Sequence, residues 1–287
     1  MNRSFLFVPA DSERKLAKAR DGDADALIVD LEDSIAADAR PAARATLAEF
    51  LTDAGGPQRW VRINPLDGED ALLDLKAAMP AQPAGIVLPK AGGGDDVARL
   101  AELLDALEAE HGIPMGQTRI LPLVTERPAA LFRLHEYAGA SERLAGLTWG
   151  AEDLGSAVGA RATRDEDGRW LPPYELARSL ALFAAAAAGV PAIDTVYTRF
   201  RDESGLEASA SRARRDGFSG MLAIHPAQVA IINEAFTPSA EEIARAERIV
   251  ALFAEHPGAG TLGMDGEMLD RPHLLQARRI LDIAGRD

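Results

Sequence analysis

Three apolar runs in this chain end on carboxylates. Residues 26–30 read Ala-Leu-Ile-Val-Asp and lead into Leu31, Glu32 and Asp33. Residues 120–126 read Ile-Leu-Pro-Leu-Val-Thr-Glu, and residues 147–153 read Leu-Thr-Trp-Gly-Ala-Glu-Asp. Short β-rich runs of this kind are buried strands, so an acid where the run stops lies at the rim of a core. Mg²⁺ and Ca²⁺ take oxygen ligands drawn from separate elements. Three acidic strand ends therefore form a candidate site for a hard cation.

Composition narrows the other possibilities. A net charge of −14 argues against non-specific nucleic-acid binding. An anionic small ligand is still allowed, provided local Arg and Lys or a metal overcome the general field. With no cysteine there is neither a disulfide framework nor thiolate chemistry, which points to the cytoplasm. The longest apolar-rich stretch, residues 176–190, contains Arg178 and Ser179 and is too short and alanine-rich to span a bilayer. Met1 to Ser4 lead directly into a strand-length run with no small-residue cleavage site, so no signal peptide is expected.

The elements that must position these acids follow from periodicity. Eight strands are expected at residues 4–9, 26–32, 59–64, 85–90, 119–125, 146–150, 192–197 and 221–225. Helical patterns lie between them at 13–20, 41–51, 95–111, 128–137, 173–188, 207–216 and 227–234. This alternation predicts an α/β fold, a (β/α)8 TIM barrel over residues 1–235. A doubly wound sheet is the main rival, but the turn after its first strand normally carries glycines, and Pro9 to Ser12 carry none. Residues 236–287 are expected to form a C-terminal helical arm. Ser239 with Glu242 makes a capping box for a helix over 239–255. A glycine-rich connector follows at 256–266, then a last helix over about 272–284. Such an arm commonly docks on the barrel or on another subunit.

In a barrel the C-terminal strand ends carry the chemistry. Here they present Asp30, Glu32 and Asp33; Arg62 and Asn64; Lys90; Glu126; Glu152 and Asp153; Asp194; and His225. Glu126 and Asp153 close neighbouring strands about 4.8 Å apart. Two carboxylates that close repel unless a cation lies between them, and Mg²⁺ is typically held by one or two carboxylates plus water and substrate. Glu32 and Asp33 could hold metal-bound waters. Arg62 needs a carboxylate partner or an anionic ligand: its fork suits a substrate carboxylate, and a structural pairing with Glu32 is the alternative. Lys90 would serve as a Schiff-base lysine only in an apolar pocket, so an ion pair is expected instead. His225 is expected to orient or pack. The glycines at 92–94 with Asp95 are either an anion nest or a plain turn with an Asp N-cap.

The chain also resembles a known family, the citrate lyase beta-subunit-like group of the HpcH/HpaI aldolase superfamily, which includes malyl-CoA and citramalyl-CoA lyases. The resemblance rests on residues 3–9 (Arg-Ser-Phe-Leu-Phe-Val-Pro), 30–34 (Asp-Leu-Glu-Asp-Ser), 61–64 (Val-Arg-Ile-Asn) and 88–90 (Leu-Pro-Lys). It continues through Thr125 and Glu126, 149–154 (Trp-Gly-Ala-Glu-Asp-Leu), 217–220, 223–228 and 266–272 (Gly-Glu-Met-Leu-Asp-Arg-Pro). It implies a (β/α)8 barrel assembled as a homotrimer or hexamer, and a Mg²⁺-dependent carbon–carbon lyase. By the same resemblance Glu126 and Asp153 are the metal ligands, Glu32 and Asp33 tether metal waters, and Arg62 grips the carboxylate of a 2-oxo acid. Asp270, which otherwise reads as a helix N-cap before Pro272, would be the acid/base residue delivered across a subunit interface. Arg14 and Lys15 would bind CoA phosphates, with a solvated helix face as the alternative.

The implied reaction cleaves a 3-hydroxyacyl-CoA, such as citramalyl-, malyl- or citryl-CoA, into acetyl-CoA and a 2-oxo acid. Rival readings are a malyl-CoA thioesterase, a metal-dependent aldolase acting on free pyruvate, and a citrate lyase beta subunit working on an acyl-carrier protein. A binding protein without catalysis is disfavoured, because every expected metal and acid/base position is occupied. No motif selects among the 2-oxo acids.

Overall fold

The apolar runs become β1 (Ser4–Pro9), β2 (Ala26–Asp30), β3 (Gln58–Arg62), β4 (Gly85–Leu88), β5 (Arg119–Pro122), β6 (Leu147–Thr148), β7 (Ala192–Asp194) and β8 (Gly220–Ala223). The computed structural model describes residues 2–53 and 55–285. All strand pairs are parallel, in the order β5-β4-β3-β2-β1-β8-β7-β6. Bridges Ile120↔Leu144 and Leu123↔Thr148 bring the two ends of that sheet together. The result is a near-closed eight-stranded barrel, the architecture expected from the alternation. Phe5, Ile28, Trp60, Val87, Leu121, Ile193 and Leu222 belong to one buried cluster drawn from the strands. Gly85 is required there: a Cβ would lie 2.2 Å from the Trp60 ring.

The intervening helices are α1 (Glu13–Arg20), α2 (Arg40–Thr52), α3 (Asp70–Ala78), α4 (Gly94–His111), α5 (Glu152–Ala157), α6 (Pro172–Ala187), α7 (Glu203–Asp216) and α8 (Ala227–Ala235). The helix expected over 128–137 is instead two 3-10 turns, Pro128–Phe132 and Leu134–Tyr137. Arg133 between them sits at φ −118°, outside the helical region, so the turns do not merge.

Most strands stop two to three residues earlier than expected, and after β2, β7 and β8 side chains accept the next backbone N–H groups. Asp30 accepts the N–H groups of Glu32 (3.0 Å) and Ser34 (3.2 Å), which curls residues 31–34 into a turn above β2. Asp194 accepts the following Thr195 N–H (2.9 Å). Gln228 takes those of Ile224 (2.9 Å) and His225 (3.2 Å). After β4, Lys90 turns into the left-handed region at φ 51°. The polar residues at the ends of β2 and β4 are thereby lifted off the ladder and onto the rim.

A buried ion pair fastens α4 to the barrel wall. Glu108 accepts Gly116 N–H and Thr118 N–H, each at 2.8 Å, and Arg143 Nη1 at 2.8 Å. Burial opposes ionisation of Glu108, but Arg143 and the two amides outweigh it and lower its pKa to about 2. Glu108→Gln leaves Asp105 as the one carboxylate paired with Arg143 and is expected to cost about 2 kcal/mol in denaturant unfolding. The wild-type carboxylate has its depressed pKa in the folded state. Its stabilisation is therefore complete above the ordinary glutamate value near 4.5 and is lost as pH falls toward about 2. Unfolding midpoints that match for wild type and variant at neutral pH would contradict this role.

The chain divides into two compact units, and the second begins at Glu234. Its elements are α9 (Ala240–Glu255), β9 (Thr261–Met264), β10 (Glu267–Asp270) and α10 (Arg271–Ile283). The capping box of Ser239 and Glu242 is present. The glycine-rich stretch is not merely a connector, because β9 and β10 form an antiparallel hairpin. Asp265 (φ 53°) and Gly266 (φ 82°) make its turn, and two successive positive φ values are what an Asp-Gly hairpin turn supplies. Ala246, Ile249, Phe253, Leu269 and Ala277 form this unit's own core.

Candidate active site

Register decides the first half of the site. Asp30 and Arg62 are direct cross-strand partners at the ends of β2 and β3. Arg62 Nε donates to Asp30 Oδ1 (2.6 Å) and Nη2 to Oδ2 (2.7 Å). Nη1 reaches Glu32 Oε2 at 3.0 Å and Asp33 Oδ2 at 3.3 Å. Burial opposes ionisation of Asp30, yet the Arg62 hydrogen bonds and charge hold its pKa below the usual carboxylate range. The anticipated Arg62–Glu32 pairing therefore exists, but Asp30 is the principal partner. One edge of the guanidinium is committed to Asp30, so a bidentate grip through that edge is ruled out. Nη1 already faces Glu32 and Asp33, so of the five donors the second hydrogen on Nη2 is the one left for an incoming carboxylate. The guanidinium also lies 4.8 Å from the centroid of the Phe7 ring.

The second half gathers Lys90, Glu126 and Asp153. Lys90 N–H donates to Glu126 Oε2, and its ammonium donates to Glu32 Oε1. The same Nζ lies 3.4 Å from Asp33 Oδ1 and 3.4 Å from Asp153 Oδ1. Burial disfavours its charge, but the hydrogen bond and charge of Glu32 outweigh burial, so Lys90 is held protonated above the ordinary lysine range. That agrees with an ion-paired lysine and not with a Schiff-base nucleophile. Asp153 lies in the first turn of α5. Thr125 Oγ1 clamps the neighbouring strand ends together, accepting from Gly150 N–H (3.1 Å) and donating to Gly150 O (3.0 Å). A Cβ on Gly150 would meet Glu126 Cγ at 2.8 Å, so only glycine leaves room for the Glu126 side chain.

Glu126 is 4% exposed. Burial, reinforced by Asp153 and Glu32 against the Lys90 amide, pushes its pKa up to about 8. A buried carboxyl so strained in its charged form beside a second acid has the chemistry of a divalent-cation ligand. Among the described residues no group of three or more His, Cys, Asp and Glu is placed to hold a metal ion by itself. Two carboxylates with the remaining positions left to water and substrate fit Mg²⁺, which dehydrates reluctantly.

A cavity of about 400 Å³ opens over these groups, lined by Asp30, Asp33, Arg62, Glu126, Glu152 and Asp153 together with Phe7, Thr195 and Ile224. A second cavity of about 570 Å³ shares Phe7, Pro9 and Ile224 with it and is lined by Arg14, Lys15, Lys18 and His225. Arg14 and Lys15, both exposed on α1, thus border a cavity adjoining the acidic one.

Other strand-end residues serve the scaffold. Asp194 accepts Trp149 Nε1 (2.6 Å) and pairs with Arg178 (3.0 Å), and Asn64 donates to Leu31 O (3.0 Å) and Asp74 (2.8 Å). His225 stacks on Phe200 with ring centroids 5.0 Å apart, in keeping with a packing role. The turn at 92–94 is neither an open nest nor capped by Asp95: Asp96 takes Gly92 N–H (2.7 Å) and Glu136 takes Gly94 N–H (3.3 Å). Asp270 caps α10 in the second unit in a capping box with His273, whose Nδ1 is 2.6 Å from Asp270 Oδ1. Sequence reasoning missed Asp30 as the anchor of Arg62 and undervalued Lys90. The signal for the first was present, since both residues sit at equivalent ends of successive strands.

Among the described residues, no helix is long and apolar enough to cross a membrane. A model of the HpcH/HpaI aldolase/citrate lyase family matches residues 3–226. The chain is 36% identical over 283 residues to a (3S)-malyl-CoA thioesterase of Cereibacter sphaeroides, covering 97% of this chain and 93% of the relative. It is 33% identical over 288 residues to the citrate lyase subunit beta of Leuconostoc mesenteroides subsp. cremoris, covering 99% and 93%. Its fold superposes with a TM-score of 0.82 on the CitE protein of Mycobacterium tuberculosis, solved in complex with magnesium, acetoacetate and coenzyme A. The two are 32% identical over 99% of this chain and 98% of the other.

Proposed function

This chain belongs to the HpcH/HpaI aldolase/citrate lyase family, and from that premise we propose that it is a Mg²⁺-dependent carbon–carbon lyase of 3-hydroxyacyl-CoA esters. The observation that carries the reading is the buried Glu126 carboxyl lining one cavity with Asp153 and Arg62. Glu126 and Asp153 would hold the ion. When bound, Mg²⁺ supplies Lewis-acid polarisation of the substrate's carbinol oxygen. Glu32 and Asp33, already fixed by Arg62 and Lys90, would orient its waters.

Arg62 would receive the substrate carboxylate on the remaining Nη2 hydrogen, with the charge of Asp30 keeping the guanidinium in place. Loss of the carbinol proton to water would send the C2–C3 electron pair onto C2 of the thioester. This releases a 2-oxo acid and leaves the enolate of acetyl-CoA. Asp270 would protonate that carbon, or remove a proton from acetyl-CoA in the condensation direction. Arg14 and Lys15 would meet the CoA phosphates beside the second cavity. The protein would work in the cytoplasm as a homotrimer or hexamer, with Asp270 delivered from a neighbouring copy.

The 36% identity to a (3S)-malyl-CoA thioesterase favours one second reading, hydrolysis of the same enolisable thioester. Incubation with MgCl₂, acetyl-CoA and pyruvate, glyoxylate or oxaloacetate in turn separates the two. A lyase forms one 3-hydroxyacyl-CoA; free CoA with no new carbon–carbon bond, and malate from malyl-CoA, would establish the thioesterase.

Metal binding should also be pH-dependent. Below about pH 8 the Glu126 carboxyl carries a proton that the cation must displace. Mg²⁺ affinity is expected to rise by up to about tenfold per pH unit and to level off above that value. Calorimetry in buffers of different ionisation enthalpy counts the released proton. An affinity unchanged between about pH 6 and 9 would show that Glu126 is already ionised in the metal-free protein.

A further inference from the structure

Among the described residues, Lys90 is the one with contacts to all four acids of the proposed metal site. Its backbone N–H holds Glu126, and its ammonium bonds Glu32 and lies 3.4 Å from both Asp33 and Asp153. These contacts come from the ends of β2 and β5 and the first turn of α5, so a single side chain ties three elements together. It does so from the left-handed region, φ 51°, where glycine or asparagine would rest at lower cost. A turn alone gives no reason for lysine at such a position; the charge and reach of the side chain do.

We propose that Lys90 is a resident counter-cation that holds the acidic mouth together without metal and, by competing for Asp153 and Glu32, weakens the hold on Mg²⁺. This rests on the reading that Glu126 and Asp153 take the ion. Five carboxylates meet here, Asp30, Glu32, Asp33, Glu126 and Asp153, and Arg62 is largely committed to Asp30. Without Lys90, Glu32, Asp33 and Asp153 would repel one another in the empty site and splay apart. With it they stay placed for the ion, and the ion enters a field already partly neutralised. Lys90 is thus a positioning residue that tunes affinity: the metal is exchangeable and the site is preformed.

The test is Mg²⁺ binding by the full chain without substrate, using MgCl₂ calorimetry and thermal melts on Lys90→Met and Lys90→Arg. Lys90→Met is expected to bind Mg²⁺ about tenfold tighter or more. Its metal-free form should melt lower than wild type, and its gain in melting temperature on adding MgCl₂ should be larger. Lys90→Arg, which keeps the charge, should bind within about threefold of wild type. A Lys90→Met protein that binds no tighter than wild type overturns the proposal.

Should the neutral variant fail to fold, wild type answers alone. The chain has four lysines, Lys15, Lys18, Lys76 and Lys90. One labelled lysine Cε resonance, absent from Lys90→Arg, should shift on MgCl₂ titration, and its failure to shift overturns the proposal. Asp153→Asn separates this from the underlying reading. If that variant binds Mg²⁺ as wild type does, the metal-site assignment falls. If it loses Mg²⁺ while Lys90→Met behaves as wild type, only the role of Lys90 falls.

Discussion

Asp153→Asn is expected to lower turnover by about a thousandfold or more, because the site then offers a single anionic ligand to the ion that polarises the substrate. The side chain is 34% exposed and its ion pair with Lys90 is long, at 3.4 Å, so the fold should lose little. A melting temperature near wild type alongside the collapse in kcat is therefore the signature of a ligand. Partial recovery at high MgCl₂ would mark weakened binding instead of misfolding. Glu126→Gln should lose comparable activity, and the double variant should lose little more than either alone, since the two acids act as one unit. Turnover of Asp153→Asn within tenfold of wild type would contradict the assignment.

Asp270→Asn is expected to lower kcat by about 10²- to 10⁴-fold, the range for removing a general acid/base, while Mg²⁺ affinity stays unchanged. Asparagine is the informative replacement. Asp270 is the N-cap of α10, and asparagine caps nearly as well, so a loss of activity is not a loss of the helix. The proposed delivery of Asp270 across a subunit boundary has a separate consequence. A co-expressed mixture of Asp153→Asn and Asp270→Asn chains would assemble some sites with both residues intact and recover part of the activity. No recovery in a mixture shown to contain hybrid oligomers would place Asp270 in its own chain's site or outside catalysis.

The barrel was legible because eight apolar runs alternate with helical patterns, and each run became a strand. Their ends were harder to read. Asp30, Asp194 and Gln228 turn the backbone by accepting its N–H groups, a local competition that hydrophobic periodicity does not register. The Asp265–Gly266 hairpin was readable in principle, as the strongest short-range turn signal in that stretch, but its flanking strands are only four residues each and half exposed. The convergence of Glu32, Asp33, Arg62, Glu126 and Asp153 followed from barrel geometry alone. Who pairs with whom did not. Arg62 answers to Asp30 because β2 and β3 are in register there, and Lys90 reaches three acids because its backbone turns left-handed. Both facts lie in the pairing of distant segments.

The central claim is metal-dependent cleavage of a carbon–carbon bond at Glu126 and Asp153. The most direct measurement supplies purified protein with malyl-CoA and citramalyl-CoA and follows the 2-oxo acid released, first with EDTA and then with excess MgCl₂. Acetyl-CoA and a 2-oxo acid should appear in equal amounts from one ester, stop on chelation and return with the metal. Oxo-acid release that persists in EDTA, or free CoA and a hydroxy acid with no oxo acid at all, would contradict it.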